Sequence, residues 1–199
     1  MSRDERQAER RRRLLDAGLG QVGTAGYART TIEGLCAGAG VTPRHFYEEF
    51  SGREPLLLAV FEEIVGWTRE AVAAAVAAAP VDPERRVRAG IGAFLHALLD
   101  DPRRARVACV EVVGVSPTVE GRRREVLHEF AAFITGEARQ LQVTERPDTG
   151  SFAVAAMALV GGTNELVVEW VLGEHRPPLD DLADEITRLF LAVGRTYFS

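Results

Sequence analysis

The sequence predicts an all-α protein of about nine helices, on three observations. Apolar residues recur at the helical period along most of the chain, no run alternates in the β manner, and the breaks carry helix-start chemistry. Of the 199 residues, 46% are hydrophobic and 27% charged, globular fractions that suit one or two domains with a sizeable core. The expected architecture is a small three-helix head, residues 1–52, on a larger helical body, residues 53–199.

The first helix, about Arg3 to Thr24, is marked by Leu14, Ala17, Gly18 and Val22. A short helix from Thr31 to about Ala39 follows, with Ile32, Leu35 and Cys36 inward, and another from Thr42 to about Glu48. The fourth begins near Arg53, and its stripe Leu56, Val60, Ile64, Trp67 and Ala71 falls on one face before Pro80 and Pro83 stop it. Asp82-Pro83 caps and opens the fifth, with Val87, Ile91, Phe94 and Leu98 inward. Asp101-Pro102 opens the sixth, to about Val113, and Ser116-Pro117 the seventh, to about Gln142, with Leu127, Phe130, Ile134 and Leu141 inside. Thr144 to Gly150 reads as a loop, and the last two helices run from about Ser151 to Leu172 and Leu179 to Tyr197.

Composition excludes several functions. Cys36 and Cys109 cannot build a disulfide framework or a thiolate zinc site, and His45, His96, His128 and His175 have no metal-ligand spacing. No phosphate loop follows a strand and no polar triad stands out, so neither an enzyme, a cofactor nor a metal is expected. The polar, basic start lacks an apolar signal core, and the apolar stretch Phe152 to Leu172 contains Glu165 and Glu169, costly in lipid. A soluble cytoplasmic protein without a membrane partner is the expectation.

The net charge of −5 argues against bulk attraction to nucleic acid. Its distribution changes that picture. Up to Leu56 there are 9 arginines and 8 acids, leaving +1, whereas the remaining 15 arginines and 21 acids leave −6. All 24 basic residues are arginine, which reads as compositional bias, and four stand together at Arg10 to Arg13.

Residues Thr31 to Phe50 carry the chemistry. Gly40 suits a left-handed turn, Val41 plugs the core, Thr42 caps the next helix, and Phe46 and Phe50 return inward. Two short helices across a Gly-containing turn make a helix-turn-helix, whose second helix can enter a major groove. Thr42, Pro43, Arg44 and His45 would then face outward, Arg44 able to bond guanine bidentately.

The ordered set Leu14-Leu15-Asp16-Ala17, Gly26-Tyr27, Thr30-Thr31-Ile32, Leu35, Ala39-Gly40-Val41, Phe46-Tyr47, Phe50 and Arg53-Glu54 with Leu56-Leu57 resembles the TetR family of bacterial transcriptional regulators. The resemblance implies that Thr31 and Thr42 donate to phosphates, that Pro43, Arg44 and His45 face bases, that Tyr47 contacts backbone or base, and that Arg53 meets a phosphate. Arg10 to Arg13 would lie near the DNA. Glu48 and Glu49 depart from the usual polar or basic residues at their positions.

The resemblance also implies a ligand pocket in the body. Candidate lining residues are Trp67, Phe94, His96, Cys109, Glu111, Phe130, Phe133, Met157 and Asn164, each of which also suits an ordinary helical core. A mostly apolar pocket suits a lipophilic or aromatic effector. The last two helices read as a dimer surface, with Phe152, Ala156, Leu159, Thr163, Leu166 and Trp170 on one and Leu182, Ile186, Leu189, Val193 and Tyr197 on the other. Packing within the chain is the alternative for part of that surface. The expected function is a homodimeric repressor on a palindromic double-stranded operator, relieved by a small molecule. The alternatives are a DNA-binding regulator without such an effector, controlled by a protein or acting as an activator, and a helical binding protein that has lost DNA recognition.

Overall fold

The computed structural model describes residues 2–140 and 149–198, and among these residues the regular structure is helical throughout. The helices are α1 (Arg3–Ala25), α2 (Ile32–Ala39), α3 (Pro43–Glu49), α4 (Arg53–Ala78), α5 (Pro83–Leu99), α6 (Pro102–Ala105), α7 (Pro117–Gln140), α8 (Thr149–Leu172) and α9 (Leu179–Phe198). Their starts obey the capping chemistry of the sequence. Thr31, Thr42, Asp82 and Asp101 each accept a backbone N–H of the first turn, and Pro follows three of them directly. Ser2 and Glu5 form a reciprocal capping box on α1.

Two expectations need correction, and one connection holds structure on which the sequence reading is silent. A 3-10 turn at Tyr27–Arg29 fills the connection between α1 and α2, too short to show a period. The sixth helix is α-helical only to Ala105 and continues as a π-helix, Arg106–Glu111. Val107, Cys109 and Val112 are buried along and just after this segment. Thr149 and Gly150, expected in a loop, open α8 instead; the rest of that loop and the expected end of the seventh helix, including Leu141, lie outside the described residues.

The chain forms two compact units. One contains Met1–Gly66 and Asp101–Glu120, and the other Trp67–Asp100 and Gly121–Ser199. The expected boundary after residue 52 therefore falls inside the first unit, because the start of α4 and the α6 segment complete that core. Leu14, Val22, Leu35, Phe46, Phe50, Leu56, Val60 and Val107 are all buried there. Helix α1 crosses its neighbours at glycine. A Cβ on Gly18 would lie 2.9 Å from Val60 Cγ2, and one on Gly23 only 2.5 Å from Arg103 Cβ.

In the second unit α5 packs along α9, and α8 packs on α9. The buried line of α5 is Ile91, Leu95, Leu98 and Leu99, rotated from the expected stripe so that Val87 and Phe94 are half-buried. Along α7 the unit buries Val126, Ala131 and Thr135, leaving Leu127, Phe130 and Ile134 half-buried at the edges of that face. Ala131, Phe152 and Ala156 form a cluster against Ile134, Val193 and Tyr197, and Phe94 meets Phe130 edge-on at 5.8 Å. Phe152–Leu172 is long and apolar enough to cross a membrane, but Phe152, Ala156, Leu159 and Val167 turn into this core. Most of the stripe expected to face a second subunit is therefore covered within the chain. Leu166 and Leu189 remain exposed from it, together with Val154 and Leu172.

Candidate nucleic-acid interface

The turn between α2 and α3 is built from three residues. Gly40 adopts the left-handed conformation (φ 62°, ψ 41°) that ends α2, and Val41 N–H returns to Cys36 O at 3.0 Å. Thr42 Oγ1 then accepts the His45 N–H at 3.4 Å and sits 3.2 Å from His45 Nδ1, fixing the start of α3. Phe46 anchors the inner side, fully buried between Tyr47 at 5.5 Å and Phe50 at 6.1 Å between ring centroids. With Phe46 inward, Arg44, Tyr47 and Glu48 share the opposite face, since offsets of three and four meet on a helix. The Arg44 side chain is 88% exposed and Tyr47 58% exposed.

The arginine run of α1 is engaged on the protein itself. Arg10 lies between Glu48 (3.9 Å) and Glu49 (3.7 Å), and the Glu49 side chain is almost wholly buried. The Arg11 guanidinium covers the Phe50 ring at 4.6 Å. Arg12 bonds Glu9 and Asp16, both at 2.8 Å, which holds the Glu9 carboxyl below its ordinary value. Arg13 lies 3.8 Å from Glu9. Reading from sequence missed the tie of Arg10, because the acids that answer it come from α3, whereas the pairs of Arg12 and Arg13 are local to α1. Arg53, expected at a phosphate, is half-buried: its Nη1 donates to Thr30 O at 2.6 Å and Tyr27 O at 3.2 Å, and the guanidinium stacks on the Tyr27 ring at 5.0 Å. Thr31 caps α2 from an exposed position, accepting the Gly34 N–H at 3.1 Å.

This helix-turn-helix coincides with the region, residues 14–60, matched by the family profile described as "Bacterial regulatory proteins, tetR family". Over these residues the chain resembles the TetR family. The relatives that it matches are HTH-type transcriptional regulators. It is 29% identical to the HTH-type transcriptional regulator EthR of Mycolicibacterium smegmatis over 166 residues, 81% of this chain and 70% of that one. It is 34% identical to the HTH-type transcriptional regulator BetI of Rhizobium meliloti over 76 residues, 38% of this chain and 37% of that one. The fold is that of the fatty acid degradation regulator FadR from Bacillus halodurans, with a TM-score of 0.79 at 20% identity over 92% of this chain and 94% of that one. It is also that of FadR from Bacillus subtilis in complex with stearoyl-CoA, with a TM-score of 0.77 at 18% identity over 91% and 97% of the two chains.

The residues read as effector lining are divided between the two units. Cys109 and Glu111 belong to the unit that carries the helix-turn-helix, where Cys109 is buried and Glu111 bonds Tyr27 N–H and Arg106. His96 is exposed and pairs with Asp100 at 2.9 Å, so its apolar sequence neighbours misled. Trp67 is 43% exposed. Phe130 and Phe133 do line a cavity of about 80 Å³ together with Arg69, Val72 and Glu129, and Phe94 touches Phe130 from the side. Met157 and Asn164 are half-buried on α8. Cys36 is buried in the core, and that burial pushes its thiol up.

Proposed function

We propose that this protein is a homodimeric cytoplasmic repressor of the TetR family that reads a palindromic operator with α3 and releases it on binding a lipophilic or aromatic small molecule. The observation that carries the DNA reading is the exposed face of α3, where Arg44 and Tyr47 stand opposite the buried Phe46. Thr31, Thr42, Pro43 and His45 complete the contact surface, with Arg44 bidentate to guanine. Arg10 to Arg13 already have protein partners, so each subunit brings few phosphate contacts. Affinity then depends on two heads meeting successive grooves and on salt.

Val154, Leu166 and Leu172 on α8 and Leu189 on α9 support dimerisation through these two helices. A ligand is supported by the stearoyl-CoA held by the Bacillus subtilis neighbour and by the aromatic lining around Phe130 and Phe133. Drug-sized ligands occupy pockets of roughly 300–1,000 Å³. The ≈ 80 Å³ cavity must therefore widen to admit one, and that rearrangement supplies the coupling to DNA affinity.

Selection from a random DNA pool tests the reading: the purified protein should recover a palindrome with half-sites about one helical turn apart. Recovery of no preferred sequence would refute it. Adding long-chain acyl-CoA or aromatic compounds should raise the melting temperature and release the recovered site. Stabilisation by none of them, with DNA binding intact, would favour control without a small-molecule effector.

A further inference from the structure

We propose that Glu48 is a positioning residue for base recognition, holding Arg44 by its Nε so that the two terminal nitrogens are presented together to a guanine. The inference rests on the reading of Arg44 given above and goes beyond it. A carboxylate on a DNA-facing helix weakens binding to every sequence through repulsion from phosphate. Here that carboxylate has a defined place. Arg44 Nε donates to Glu48 Oε1 at 3.3 Å, one helical turn along α3. The second oxygen, Oε2, faces Arg10 of α1 at 3.9 Å, and Arg10 is backed by the buried carboxylate of Glu49 at 3.7 Å. Glu48 thus takes a hydrogen bond from its own helix through Oε1, while Oε2 lies at ion-pair distance from a guanidinium of α1.

The consequence follows from the shape of arginine. An 88% exposed arginine samples many rotamers, and binding must freeze them. With Nε occupied, Nη1 and Nη2 remain as the fork that matches guanine O6 and N7. The same pair keeps Arg44 from wandering to a neighbouring phosphate, where it would add affinity without sequence information. Glu48 therefore lowers affinity for all DNA and raises the preference for guanine at one position.

The test measures binding of the wild type, Glu48→Ala, Glu48→Gln and Arg44→Ala to the site recovered by selection and to versions in which each guanine is replaced in turn. The base that Arg44 reads is the one whose discrimination Arg44→Ala removes. Both Glu48 variants should bind random DNA more tightly than the wild type. Glu48→Ala should lose about two- to fivefold of the discrimination at that guanine, the range of an exposed ion pair. Glu48→Gln should keep it, because its amide oxygen still accepts from Nε. Unchanged discrimination in Glu48→Ala overturns the proposal, provided Arg44→Ala abolishes it, and leaves the reading of Arg44 standing. Full discrimination in Arg44→Ala locates the failure in the reading of Arg44 itself and removes the proposal with it.

Discussion

The carboxylate of Glu111 accepts the backbone N–H of Tyr27 at 2.8 Å across 84 residues of sequence. Its other oxygen takes Arg106 Nε at 3.0 Å. The approach needs Gly26, whose φ of 90° suits few other residues and whose missing Cβ would stand 3.1 Å from Glu111 Oε2. From Tyr27 the connection continues through Arg53, which joins the carbonyls of Tyr27 and Thr30 immediately before the cap of α2. The end of the π-helix and the start of the helix-turn-helix are thereby tied together within one compact unit. Glu111→Ala should cost about 1–3 kcal/mol, the price of leaving a half-buried N–H unsatisfied and releasing Arg106. Glu111→Gln, which keeps an acceptor, should cost less. Denaturant titration checks this through a lower midpoint at unchanged slope; an unaltered midpoint in Glu111→Ala would show the tie to be idle.

Two glycines of α1 separate close packing from helix propensity. At Gly23 an added methyl would meet Arg103 Cβ at 2.5 Å and Arg103 backbone at 3.0 Å, and backbone cannot swing aside. Gly23→Ala should therefore destabilise by roughly 1–3 kcal/mol through overpacking. Gly20 has nothing within 4 Å of the same position. There Ala removes only the entropic cost of glycine, so Gly20→Ala should stabilise by about 0.5–1 kcal/mol. Thermal melts of the pair should move in opposite directions.

These particular residues show what the sequence could carry. Helix starts were legible because Thr31, Thr42, Asp82 and Asp101 act on backbone within three residues of themselves. The π-helix left no mark, since the change from i→i+4 to i→i+5 bonding has no compositional signature. Glu111 in a run of valines looked like pocket lining because its real partner is distant in sequence. The stripes of α8 and α9 were identified correctly as apolar, but periodicity names the face of a helix and not the surface that covers it. For the α3 surface, local offsets around Phe46 were enough to place Arg44 and Tyr47, while the partners of Glu48 required α1 to be in place.

A pH dependence follows from Glu63 on α4. Burial pushes its carboxyl up, the Asp16 carboxylate on α1 pushes it further, and Arg11 pulls it back. For an acid raised in the native state, the folded protein holds a proton where the unfolded chain has lost it. Stability then falls as pH rises from the ordinary value of 4.5 through the native value, and the cost is complete above that. Glu63→Gln should accordingly melt higher than the wild type at neutral pH. The advantage should shrink as pH falls through the native pKa and vanish below the ordinary one. Melting curves across pH 4 to 8, on the order of one measurement per half unit, follow the whole titration. A gain that persists undiminished at acid pH would mean that the amide packs better for reasons unrelated to charge.

Arg44 and Arg53 should separate recognition from architecture. Arg44 is 88% exposed and, among the described residues, pairs with Glu48 of its own helix, so Arg44→Ala should leave the melting temperature nearly unchanged. Its cost should be about 1–3 kcal/mol of binding, concentrated at one base pair. Arg53 holds two carbonyls and the Tyr27 ring. Arg53→Ala strands both carbonyls and should lower stability by roughly 1–3 kcal/mol, weakening DNA binding for all sequences alike because the cap of α2 loosens. Arg53→Lys keeps the charge but not the fork, and should recover only part of that stability. Parallel melts and binding titrations give the decisive pattern: one variant stable and unselective, the other selective and unstable. If Arg53→Lys restores affinity while stability stays low, charge at this position acts on phosphate directly, and Arg53 serves both ends of the interface.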